Sequence, residues 1–112
     1  MLSFQTLDVY RLAIEFLTLS LRLVDGFPRG HTELADPLRR AASSTPLNIA
    51  EAQGRTGAAD RARTYAIARG SAMECAAVLD VCLALGLMDE ARHQQGSTLL
   101  ERVVAMLTRL CR

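Results

Sequence analysis

Few residues in this 112-residue chain have the type and spacing to do chemistry, and the densest group is Arg40, Ser44, Asn48 and Glu51. On a helix such intervals stack side chains on successive turns along one edge. A column of this kind can pair charges, form a polar seam between helices, or grip an anionic ligand. Glu74 stands among apolar neighbours, where an unpaired carboxylate is costly. An arginine partner, Arg40 or Arg63, is the cheapest resolution. Arg40, Ser44, Asn48, Glu51 and Glu74 are therefore expected to form a structural polar network that fixes helix register. A ligand site is the alternative.

Nothing in the sequence points to catalysis. His31 lies in a Gly-Pro loop and His93 in the first turns of a late helix. Neither has the carboxylate or cysteine spacing of a metal site. Nucleophile-elbow, phosphate-loop and paired-acid motifs are lacking. Cys75, Cys82 and Cys111 show no Cys-x-x-Cys spacing, and an odd count without a secretory leader reads as reduced thiols in packing roles. The expectation is a cytoplasmic non-enzyme with no catalytic residue, metal or cofactor.

Charge narrows the partners. The formal net charge is +1, and all thirteen basic residues are arginine, so no global field draws the chain to nucleic acid or anionic lipid. Locally, Arg55, Arg61, Arg63 and Arg69 face only Asp60. These four are the candidate nucleic-acid contacts, since the guanidinium fork suits phosphate.

The elements that must position these residues are helices. Half of the residues are hydrophobic, yet Trp is absent and only five are Phe or Tyr. A core of Leu, Ala, Val and Met suits packed helices better than sheets. Turn signals at Gly26-Phe27-Pro28, Gly54 to Gly57, and Leu85-Gly86 predict helices near Thr6–Asp25, Thr32–Gln53, Ala58–Leu85 and Asp89–Cys111. Short connections make neighbours antiparallel, so residues 1–112 read as one all-α domain, an up-down four-helix bundle. No segment reaches the roughly 18 uninterrupted apolar residues of a membrane span.

Pro46 either restarts a helix behind a Thr45 cap or sits inside a kinked one. The apolar face of Leu34, Leu38, Ala41, Thr45 and Ile49 runs on across it, which predicts a kinked, continuous helix. The first predicted helix carries two apolar stripes. Leu7, Ile14 and Leu21, with Tyr10, Leu17 and Val24 beside them, are the expected core seam. Val9, Leu12, Phe16, Leu19 and Leu23 then form an outer stripe, read as an oligomer interface. The third helix is apolar almost all round, and Gly70 inside it implies close approach of a neighbouring backbone.

These residues carry a family resemblance. "RRAASSTPLNIAEAQGR" and "IARGSAMEC" resemble the two signatures of a bacterial four-helix bundle family first noted as reading frames in 23S ribosomal RNA gene intervening sequences. Arg39 to Ala42, Ser44, Pro46 and Asn48 to Glu51 fit the first signature; Ile67, Ala68, Gly70, Ser71 and Glu74 fit the second. Ala52 stands where the family pattern has Gly, and Arg61 and Thr64 stand where aromatic residues are common. The resemblance implies a homo-oligomer, with relatives that form homopentameric rings. It also implies a nucleic-acid-associated accessory role, because the accessory proteins of diversity-generating retroelements are similar and bind reverse transcriptase and nucleic acid. A self-assembling scaffold with a protein partner is the alternative.

Overall fold

The turn before the last helix shows how local chemistry stops one helix and starts the next. Asp89 opens the last helix by accepting the Arg92 N–H on its carboxylate at 2.8 Å, with Glu90 in the first turn at the positive end of the helix dipole. Gly86 closes the helix before it. At φ 75° it takes the left-handed turn that lets the Leu87 N–H reach the Cys82 carbonyl at 2.9 Å.

The computed structural model describes residues 1–112, the side chain of Thr32 apart. The helices are α1 (Asp8–Asp25), α2 (Thr32–Gly54), α3 (Ala58–Ala84) and α4 (Glu90–Leu110). Every boundary lies within two residues of the sequence expectation. The largest difference is at the start, where Ser3–Thr6 is a separate 3-10 turn and Leu7 is extended. Helices pack in the order α1, α2, α3, α4, with α4 returning to α1, and the backbones of the diagonal pairs stay farther apart across the shared core. The result is an all-α bundle of 45 × 25 × 22 Å. Among the described residues no helix is long and apolar enough to cross a membrane.

α2 runs unbroken through Pro46, and through Pro37 as well. Side chains bind the turns around the missing N–H. Thr45 Oγ1 donates to the Ala41 carbonyl at 2.9 Å, and Asn48 Nδ2 donates to the Ser44 carbonyl at 2.9 Å. The helix is held across the proline from both sides.

On α1 the structure reverses the two stripes. Val9, Leu12, Phe16, Leu19 and Leu23 are buried in the core of the single chain, so they are not an outer interface. Ile14 and Leu21 are 36% and 47% exposed instead, Leu7, Tyr10 and Leu17 are half-buried, and of the expected seam only Val24 is fully in the core. The reason lies between the stripes. Ala13 and Ser20 are buried at 2% and 0% exposure, so these small side chains lie on the line where α1 faces the core. The stripe flanking them faces inward, and the polar arc of Asp8, Glu15 and Arg22 faces out. Gly96 on α4 is closely packed. A Cβ there would lie 2.7 Å from Leu79 Cδ1 and 3.5 Å from Phe16 Cε1.

Candidate docking face on the third helix

A helix that is apolar around its whole circumference is ordinarily buried on all sides. Between Ile67 and Ala84 α3 comes close to this, interrupted by Arg69, Glu74 and Asp80, yet only part of it is covered. Ala68, Ala72, Cys75, Leu79 and Cys82 face the core. The opposite side carries Ile67, Gly70, Met73, Ala77 and Val81, all open to solvent. Ile67, Met73 and Val81 are 45%, 49% and 45% exposed. Glu74 is the one acidic side chain on this outer ridge between Ile67 and Val81 apart from its rim at Asp80. At about 1.5 Å per residue the ridge from Ile67 to Leu85 is roughly 27 Å long.

Gly70 sits at the crest. An added Cβ there would meet nothing within 4 Å, so no neighbouring backbone of the same chain approaches it. Gly96 is the tightly packed glycine instead, and what crowds it is the side chains of Leu79, Phe16 and Leu19 rather than a backbone. Within the single chain Gly70 costs roughly 1 kcal/mol relative to Ala, with no packing to offset it.

The expected polar network forms in part. Ser44 Oγ and Ser71 Oγ lie 2.8 Å apart across the α2–α3 contact, and Asn48 Nδ2 donates to Ser44 Oγ at 2.9 Å. Glu51 does not join them but pairs with Arg55 one turn on. Arg40 and Glu74 are exposed, and among the described residues neither has an ion-pair partner. The premise for Glu74 was a buried carboxylate. Because it lies on the outer ridge, water solvates it and the need for Arg40 or Arg63 disappears. Ser71 was missing from the expected network; its place in the second motif was the available signal.

The four candidate phosphate-binding arginines are divided. Arg55 pairs with Glu51 and lies 3.5 Å from Asp60, while Arg63 donates to Asp60 at 2.9 Å. The Arg63 hydrogen bond holds the Asp60 carboxyl below its ordinary value, helped by the charge of Arg55. Arg61 donates to the Arg55 carbonyl at 2.9 Å. Arg69 is on another face, its Nε donating to Thr108 Oγ1 of α4 at 2.8 Å. Chain direction adds two arginines that sequence spacing hid. α4 ends beside the α2–α3 turn, which brings Arg109 and Arg112 to the same end of the bundle.

Two apolar hollows flank the helices. One, about 350 Å³, lies between α1 and α2 and is lined by Phe4, Tyr10, Ile14, Leu17, Pro46 and Leu47, among others. Another, about 510 Å³, lies between α3 and α4. At its rim His93 Nε2 sits 2.8 Å from Asp80 Oδ1, a carboxylate contact that sequence spacing did not show, since it is made across the α3–α4 turn. The thiols offer no nucleophile beside it. Burial, with the nearby charge of Glu74, pushes the Cys75 thiol up to about 12, and burial raises Cys82 too. No group of three or more His, Cys, Asp or Glu among the described residues is placed to hold a metal ion.

A crystal structure of a protein of unknown function from the S23 ribosomal protein family of Bacteroides thetaiotaomicron VPI-5482 superposes with a TM-score of 0.85. The superposition covers 93% of this chain and 98% of that one at 18% identity, a likeness of fold alone. No curated protein sequence matches. The pattern of the 23S rRNA-intervening sequence proteins matches residues 5–109, which takes in both motifs and all four helices. With the motifs meeting at Ser44 and Ser71 inside a four-helix bundle, the chain belongs to the 23S rRNA-intervening sequence protein family.

Proposed function

We propose that this chain is a non-enzymatic, self-assembling scaffold, a homo-oligomer whose copies cover one another's α3 ridges. The observation that carries the reading is the outer face of α3, where Ile67, Gly70, Met73, Ala77 and Val81 stand in solvent. A monomer gains nothing from a glycine at the crest, whereas a docked backbone needs one. A closed ring, with the homopentamer as the specific expectation, fits the family resemblance. Light-scattering chromatography tests the reading. The wild-type chain should elute at a multiple of 12.2 kDa, and Ile67→Glu/Val81→Glu should elute as a monomer with unchanged helicity. A wild-type monomer at high concentration overturns it.

A nucleic-acid-associated role is the second reading, and one observation favours it. The end of the bundle at the α2–α3 turn gathers Arg11, Arg55, Arg61, Arg63, Arg109 and Arg112 against Asp8, Glu51 and Asp60, six charges against three. Assembly would repeat that modest excess around one rim, and avidity multiplies weak contacts. Short RNA or DNA should then bind at low salt and release steeply as salt rises, with Arg61→Ala/Arg63→Ala weakening it. An absence of binding at low salt removes this reading and leaves a protein as the scaffold's partner.

A further inference from the structure

We infer that the α3 ridge of one copy seats in the groove between α1 and α2 of the next, so that two unlike surfaces form a head-to-tail joint; this rests on the self-assembly proposed above. Both surfaces are largely apolar. The ridge is narrow at its crest, where Gly70 and Ala77 lie, with Ile67, Met73 and Val81 alongside. The groove is about 350 Å³ and walled by large side chains, with Phe4 packed edge-on to Tyr10 at 4.9 Å between centroids. No charged residue lines it. Seating the ridge would cover Ile14 and Leu47, the latter 67% exposed.

Charge points the same way. Beside the groove, α2 carries Arg39 and Arg40 over a second hollow that shares Ser43 and Leu47 with the first. Arg40 is without an ion-pair partner among the described residues, and so is Glu74 midway along the ridge. A ridge in the groove brings Glu74 toward the arginine side. Pairing ridge to ridge would instead set two Glu74 carboxylates across a twofold axis and leave the groove open. The ridge and the groove also lie on different flanks, because α2 separates α1 from α3 in the helix order. Each copy therefore offers one of each.

Mixing two broken chains tests this arrangement. Ile67→Glu/Val81→Glu spoils the ridge and spares the groove. Ile14→Glu/Leu47→Glu does the reverse. All four positions are exposed, and circular dichroism checks that both variants remain helical; Leu47→Glu alone replaces the second if it does not. Each variant by itself should be monomeric. Their equimolar mixture retains one good ridge and one good groove, so light scattering should find a 1:1 dimer and nothing larger. A mixture that stays monomeric overturns the inference, as does a groove variant that assembles like wild type. A wild-type chain that is itself monomeric instead defeats the self-assembly on which the inference rests.

Discussion

Ser44 Oγ and Ser71 Oγ meet at 2.8 Å, each from the middle of a different motif segment, and Asn48 Nδ2 reaches the same Ser44 oxygen at 2.9 Å. This is one polar tie between α2 and α3, beside the Tyr65 hydroxyl that donates to Gln53 Oε1 at 2.7 Å. Ser71→Ala should cost about 1 kcal/mol in urea unfolding. A double-mutant cycle with Ser44→Ala should give a coupling of about 0.5–1.5 kcal/mol. A coupling near zero would mean that water replaces the bond at no loss.

Two glycines should respond with opposite signs. Gly70 has open space around it and ordinary helical backbone, so Gly70→Ala should stabilise the monomer by roughly 0.5–1 kcal/mol. At Gly96 the new methyl would lie 2.7 Å from Leu79 Cδ1 in the core. Gly96→Ala should destabilise by about 1–3 kcal/mol through overpacking. Thermal unfolding in an Ile67→Glu/Val81→Glu background keeps self-association out of both measurements.

The reversed stripes of α1 give a third comparison. Phe16 is 2% exposed and fills the core, so Phe16→Ala should cost about 3–5 kcal/mol. Leu21→Ala, on the open side, should change monomer stability by about 0.5 kcal/mol or less. Equal losses at the two positions would contradict the orientation of the helix.

The thiols predict an alkaline limit. Burial raises Cys75 from its ordinary 9.0 to about 12, so the native state holds its proton more tightly than the unfolded state does. The stability from this group is whole below about pH 9 and is lost as pH climbs toward 12. Tyr65, also raised by burial, acts in the same direction. Urea midpoints should fall across that range, and Cys75→Ala should flatten the fall. Near neutral pH a thiol reagent should label half-buried Cys111 first and reach Cys75 and Cys82 only on unfolding.

The helices were legible because their punctuation is local. Gly86, Asp89 and the Gly54–Gly57 turn act through their own backbone or the next turn, and a wheel drawn through Leu34, Leu38 and Ile49 carries α2 across Pro46. The inward face of α1 was not legible from the large side chains, because two apolar stripes compete. Ala13 and Ser20 decide between them, and small residues carry little weight in a hydrophobic pattern. The site divided in the same way. Ser44 and Asn48 are one turn apart and could be seen together. The partners Ser71, Asp80 and Thr108 come from other helices at separations with no period. The third helix was visible as apolar all round, but only the packed chain shows which third of it is left uncovered.

One consequence follows from a crest and a trough placed on separate flanks of the same rod. A string of copies with loose ends always leaves one of each wet, whatever its length. In the proposed joint, ends that meet remove that loss, so a finite circle forms where the angle between copies lets the string close, and a filament where it does not. How many members complete it would be governed by the angle subtended between the two flanks, and tightening each link would make the circle sturdier without altering its census.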